Sequence, residues 1–331
     1  MIRTYALGGR VRTGRRSGLS STSVGRQAEA RPTTTVSYYE QNAPMATASP
    51  NITAQSHRRG PVAALYDSVA DVGAVVIRWI ETLGDMTLFM WRTLSWLVTR
   101  FPRRDTLIPA FYNIGVLSLP VVALTGTFIG MVLAVQSYSQ FKQFGFETRL
   151  GVLINLSMCR ELGPVLAATM LAGRVGSAIA AEVGTMRVTE QIDALTSMGA
   201  NPIHYLVVPR FLGCLLMIPS LTVMAIFMGV VGGWMYSVQV FGIDSYHYWH
   251  NSQQFVANWD LFYGIFKSVF FGATIAIVSC YRGFHCAPGA EGVGRAATAA
   301  FVLSFVIILM LDLFLSITLD SVHGMLWPDL K

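Results

Sequence analysis

LINLSMCRELGPVLAATMLAGRVGSAIAAEVGTMRVTEQIDALTSMGANPIHYLVVP, residues 153–209, is the stretch from which the rest of the chain is read. It opens as an apolar helix interrupted by a charged pair, Arg160 and Glu161. A run of small residues follows: Ala167, Ala168, Ala172, Gly173, Gly176, Ser177, Ala178, Ala180, Ala181 and Gly184. It closes in a short polar helix, about Val188–Met198, ended by Gly199 and Asn201-Pro202. Ionised side chains inside an apolar helix are costly and stand where a function needs them. Small residues at helical spacing let helices approach closely in lipid. A polar helix between two apolar ones is a handle for a soluble partner.

Outward from this stretch the chain is apolar. Of 331 residues 53% are hydrophobic and 13% charged, where a soluble domain carries about 25% charged residues. The class is an all-α polytopic membrane protein. Nine of the 24 basic residues and two of the 18 acidic ones fall in residues 1–60, so the remainder is nearly neutral. The basicity therefore belongs to the N-terminal segment and gives no indication of nucleic-acid binding. That segment is rich in Ser, Thr and Arg and poor in large apolar residues, which predicts a disordered basic tail over 1–60. Its composition also resembles an organellar transit peptide, and a start at Met45 is a third reading. Residues 61–331 form the second division, a membrane domain.

From Asp71 to about Val98 apolar residues recur at helical spacing, interrupted by Arg78, Glu81, Asp85 and Arg92. This predicts an amphipathic helix over 71–98 lying in the membrane interface, with Trp79, Trp91 and Trp96 at headgroup depth. Arg100, Arg103 and Arg104 mark a boundary. Five spans follow, each near the roughly 20 apolar residues a bilayer requires: about 112–138, 152–183, 205–240, 261–280 and 296–319. The first is free of charge and carries Gly126 and Gly130 as a G-x-x-x-G pair, with Pro120 as a candidate kink. The second is long enough to tilt or break near Gly163-Pro164. The third carries a further G-x-x-x-G at Gly229 and Gly233. Residues 242–260 are expected as a polar, aromatic loop. The distribution of Lys and Arg between loops favours a cytoplasmic N-terminus, with the polar helix between the second and third spans also cytoplasmic.

Several chemistries are absent. Lysine occurs only at 142, 267 and 331, and no G-x-x-x-x-G-K-[ST] is present, so the chain does not itself hold ATP through a P-loop. No G-x-S-x-G, H-E-x-x-H or C-x-x-C is found. Cys159, Cys214, Cys280 and Cys286 read as small hydrophobes, and His247 and His250 as members of an aromatic loop, so no metal site and no cofactor are expected. The charges within spans are more informative. Arg160, Glu161 and Lys267 are expected in a water-accessible cavity that takes a polar or anionic headgroup, since a lipid needs a few charges beside a wide apolar surface. Arg174 and Glu182, two turns apart, are expected either as a structural ion pair fixing helix register or as part of such a site. In the polar helix Thr189, Glu190 and Asp193 stand early, favourable to the helix dipole. Ile192, Leu195 and Met198 form an apolar stripe suited to a groove on a partner.

YNIGVLSLPVVALTGTFIGMVLAVQSY, residues 112–138, RELGPVLAATMLAGRVGSAIAAEVGTMRVTEQIDAL, 160–195, and NPIHYLVVPR, 201–210, together resemble the MlaE family of ABC transporter permeases, which has plastid relatives among the TGD lipid importers. GIDS, FKS around Lys267 and LDLFL around Asp312 extend the resemblance, which covers about Trp79–Leu319. It implies a non-enzymatic permease: a homodimer with one interfacial helix and five spans per subunit. The implied partners are two copies of an ABC ATPase that binds the ATP, a periplasmic MCE-domain protein and, in some members, a STAS-domain protein. The implied cargo is phospholipid, moved between a bacterial inner membrane and the periplasmic carrier. The chloroplast inner envelope is the alternative location. Carried onto this sequence, the lipid-site residues are Arg160, Glu161, Lys267 and Asp312. The ATPase-coupling residues are Thr189, Glu190, Gln191, Ile192, Asp193 and Leu195. Competing readings are a proton-coupled secondary transporter working through Glu182 or Asp312, and a lipid-modifying enzyme using Glu161 or His247.

Overall fold

The structure is a computed structural model that describes residues 61–99 and 104–326. The predicted tail over 1–60, Arg100 and Arg103, and the side chain of Trp79 lie outside what it describes. Tyr66–Lys331 forms one compact unit; of the other, Met1–Leu65, the described residues open the first helix. The elements are α1 (Pro61–Thr99), α2 (Arg104–Ile114), α3 (Leu119–Gln143), α4 (Leu150–Ser157), α5 (Gly163–Leu171), α6 (Ser177–Val188), α7 (Gln191–Ser197), α8 (Val208–Gln239), α9 (Ser245–Phe255), α10 (Asn258–Phe284) and α11 (Ala290–Leu326). All regular structure among the described residues is helical.

Five helical rods are long and apolar enough to cross a membrane: Arg104–Gln143, Glu147–Val188, Ile203–Gln239, Asn258–Phe284 and Ala290–Met325. Four exceed their predicted limits at both ends, and the third begins two residues earlier and ends one residue sooner than predicted. The first is interrupted by a tight turn over Val116–Ser118, just ahead of Pro120, which then occupies the first turn of α3. A proline there forfeits no helical hydrogen bond. The second span does not break at Gly163-Pro164. A π-turn over Met158–Leu162 precedes α5, and Pro164 falls in its first turn. A second π-turn, Ala172–Gly176, joins α5 to α6, and a third, Ile203–Val207, leads into α8.

The two G-x-x-x-G pairs meet. A Cβ on Gly130 would strike the carbonyl of Gly229, and one on Gly126 would stand 2.6 Å from the carbonyl oxygen of Ala225. With no hydrophobic drive between helices in lipid, such close backbone approach is what holds α3 to α8. Toward the end of the bundle remote from α7, Ala134, Leu150, Ile154, Met158 and Ile243 form a small cluster. The larger core runs through the second, third and fourth spans, where Cys214 and Cys280 lie buried as free thiols.

The amphipathic helix is longer than predicted, Pro61–Thr99. Phe89 packs against Tyr281 and Phe284, with ring centroids 5.9 and 5.7 Å apart, and Thr93 is buried. Ile77, Ile80, Leu83, Trp91 and Val98 are exposed. The predicted loop over 242–260 contains a helix, α9, started by the Asp244 carboxylate accepting from the Tyr246 amide. Its Tyr248 is buried over Gly151.

Candidate functional site

Each π-turn of the second span carries the charges that the sequence places in lipid. Arg160 and Glu161 lie in the first, and Arg174 in the second. A π-turn inserts one residue into the helix and re-aims the side chains around it, and such turns gather at functional sites.

Around the first π-turn three spans converge. Lys267, on α10, is fully covered and its three N–H donors are all placed. They reach Glu161 Oε2 at 2.8 Å, Asp312 Oδ1 at 2.9 Å and Ser316 Oγ at 2.7 Å. The ring of Tyr263 covers the ammonium with its centroid 4.6 Å away. Beside this knot Arg160 Nε donates to Asp260 Oδ1 at 2.6 Å, and Asp260 Oδ2 accepts from the Ala257 amide at 2.8 Å. Asp320 stands 3.9 Å from Arg160, a loose contact. Two cations thus face four carboxylates, Glu161 and Asp312 within the spans and Asp260 and Asp320 at their ends.

The predicted quartet Arg160, Glu161, Lys267 and Asp312 is therefore brought together, with one correction. Lys267 does not reach an open cavity. It is the sealed centre, and the accessible members are Glu161, with 44% of its side chain exposed, and Arg160, with 31%. A carboxylate held in place by a buried ammonium, yet open on one side, can meet a polar headgroup without reorganising its neighbours. Sequence reasoning missed Asp260, Tyr263, Ser316 and Asp320. Spacing could have found them: Asp260 precedes Lys267 by two helical turns, and Asp312, Ser316 and Asp320 share one face at intervals of four.

The expected pair Arg174–Glu182 does not form. Eight helical residues separate them by about 12 Å, and each finds another partner. Arg174 donates to the Ser118 hydroxyl, while Glu182 accepts from Arg210 of α8 at 3.1 Å. Among the described residues no carboxylate neutralises Arg174.

The polar helix is shorter than predicted. Thr189 caps the end of α6, its hydroxyl bonded to the Thr185 carbonyl at 2.8 Å, so it does not start α7. Glu190 takes a left-handed backbone, φ 59°, and caps α7. A non-glycine residue held there costs about 1–3 kcal/mol. Asp193 is bridged across the turn by Arg187 at 2.6 Å. Ile192 is buried and Leu195 half-buried against the protein's own core, so two of the stripe's three members turn inward and only Met198 stays exposed. The outward face presents Glu190, Gln191 and Met198. Of the two histidines, His247 stands 3.8 Å from Asp244 and His250 contacts Gln254.

Comparison with known proteins decides the class, for residues 107–318 match the model of the permease MlaE. The chain belongs to the MlaE permease family. It is the permease component of an ABC transporter, and a multi-pass membrane protein. A probable ABC transporter permease of Rickettsia conorii is 41% identical over 246 residues, 74% of this chain and 95% of the relative. The intermembrane phospholipid transport system permease MlaE of Haemophilus influenzae is 35% identical over 253 residues, 76% of this chain and 97% of that protein. The chloroplastic protein TRIGALACTOSYLDIACYLGLYCEROL 1 of Arabidopsis thaliana is 40% identical over 199 residues, 60% of this chain and 57% of its own. The region matched to the MlaE permease takes in every member of the charged knot except Asp320.

Proposed function

We propose that this permease moves phospholipid between its membrane and an extracytoplasmic MCE-domain carrier, as one of two identical subunits driven by a separate ABC ATPase. The observation that carries the reading is the half-exposed Glu161 carboxylate, set at membrane depth by a wholly buried Lys267. Arg160 and Glu161 meet the headgroup, Lys267 and Asp312 hold them in place, and acyl chains lie along the exposed apolar faces. Met310, Leu313, Phe314 and Ile317 of α11 make one such face. ATP chemistry resides in the partner. Its grip falls on the outward residues Glu190, Gln191 and Met198, with Thr189, Ile192, Asp193 and Leu195 shaping the turn. Helical structure continues from Glu147 to Val188, so a push at that turn reaches both π-turns as one lever. A cytoplasmic N-terminus in a bacterial inner membrane fits the loop charges, and α1 fits an interfacial position. Helices with so much apolar surface toward the outside bury it in lipid or against a second copy. The similarity to the Arabidopsis protein supports a chloroplast envelope as the second location.

The test is mass spectrometry of lipids carried by the purified complex. Wild type is expected to retain phospholipid, and Glu161→Lys to lose most of it with subunit composition unchanged. Equal lipid in both would remove Glu161 from the site.

A further inference from the structure

The geometry points to a second headgroup station at Arg174, which takes the phosphate of a glycerophospholipid drawn from the leaflet on the α7 side of the bundle. This rests on the phospholipid reading above and extends it to a separate place in the fold. A cavity of about 630 Å³ opens between α2, α6 and the start of α8, within the roughly 300–1,000 Å³ of ligand pockets. Arg174 lines it beside Leu117 and Ile179, and the Glu182–Arg210 pair and Tyr205 line it nearer the α7 turn. Arg174 is about 12 Å deeper than Glu182 and about 21 Å from Arg160 along the same rod. The station is therefore distinct from the Lys267 knot.

Three observations converge there. The guanidinium has five N–H donors, and its described hydrogen-bond partner is one neutral hydroxyl, Ser118. No carboxylate lies within ion-pair distance of it among the described residues: Glu182 is held by Arg210 nearer the α7 turn, and Asp105 lines the α2 wall without bridging to it. Arg174 projects from a π-turn, the same device that presents Arg160 and Glu161. A guanidinium pairs bidentately with an oxyanion that offers two oxygens in its plane, as a phosphate does. The walls beside it, Ile114, Leu117, Val175 and Ile179, are apolar and suit acyl chains. A phosphate carrying two chains satisfies both; a free phosphate satisfies only the first.

The test uses the full-length chain in nanodiscs of phosphatidylcholine containing trace phosphatidylglycerol with a diazirine on one acyl chain, and maps photolabelled peptides by mass spectrometry. Label is expected on the peptides holding Ile179 and Met186. Arg174→Gln should lower it about ten-fold, the effect of losing one charge-assisted hydrogen bond, and Arg174→Lys, which keeps the charge and loses the fork, should restore part of it. A diacylglycerol with the same labelled chain should mark these peptides about ten-fold less, for the same reason. Excess glycerol 3-phosphate should leave the label unchanged. Undiminished label in Arg174→Gln, or equal label from the diacylglycerol, overturns the proposal. Competition by glycerol 3-phosphate overturns it in favour of a free-phosphate site. Should Arg174→Gln not fold, Leu117→Trp decides by filling the cavity with the guanidinium intact: lost label supports the station and retained label removes it. Glu161→Lys separates the two sites. If it abolishes phospholipid transfer while Arg174→Gln leaves the label untouched, the station falls and the proposed function stands. If transfer survives Glu161→Lys and the label still follows Arg174, Glu161 leaves the headgroup site and the station stands.

Discussion

The two π-turns of the second span place cations in opposite circumstances. At Arg160 and Glu161 the surroundings are crowded: Lys267 reaches Glu161, Asp312 and Ser316, and Arg160 Nε reaches Asp260. At Arg174 they are sparse, with the single Ser118 hydroxyl. A crowded knot is rigid, and taking one member out leaves others buried without compensation. A sparse cation depends less on its neighbours and has more to offer a ligand. The same helix thus holds one site built around internal partners and one left open.

The largest expected effect tests the crowded side. Lys267→Met strips the counter-charge from Glu161 and Asp312 and should cost about 3–5 kcal/mol, read as a sharp fall in the melting temperature of the purified protein in detergent. Arg174→Gln, with only a neutral partner to lose, should cost about 1 kcal/mol by the same measurement. Equal losses would erase the contrast between the two turns. Between them in size stands the close approach of α3 to α8. Gly130→Ala drives a methyl into the Gly229 carbonyl and should cost about 1–3 kcal/mol through forced separation of α3 and α8. A neutral outcome would mean that these helices are held by something other than backbone approach.

Much of this was legible beforehand for a physical reason. Spans declare themselves by length and lack of charge, as residues 112–138 do, and glycine pairs four apart declare close packing. The gathering of Arg160, Glu161 and Lys267 was legible because each is too costly in lipid to stand alone, and Asp312 joined them through the family resemblance. What stayed hidden depends on geometry that composition does not encode. No residue pattern marks a π-turn, so the re-aiming of Arg160 and Arg174 could not be read. Asp260 ends a polar loop and reads as solvated, yet its side chain is almost fully covered beside Arg160. Arg174 and Glu182 share a helix, but a neighbouring helix brings Arg210 closer to Glu182 than 12 Å of helix axis allows Arg174 to come. In the α7 turn the apolar stripe was visible and its direction was not, because Ile192 finds its place in the protein's own core.

The smallest expected effect lies at that turn. Glu190→Gly relieves the left-handed backbone and should leave stability unchanged or raise it by about 1 kcal/mol, while Glu190→Lys should weaken copurification of the ATPase. If Glu190→Gly destabilises the protein instead, the turn is held by the side chain rather than strained by it.

The most direct measurement is ATP-driven phospholipid transfer by the reconstituted complex carrying Glu161→Lys. A roughly ten-fold or greater loss of transfer, with the subunits still assembled and ATP still hydrolysed, is the predicted result for a carboxylate that meets the headgroup. Transfer at the wild-type rate would contradict it.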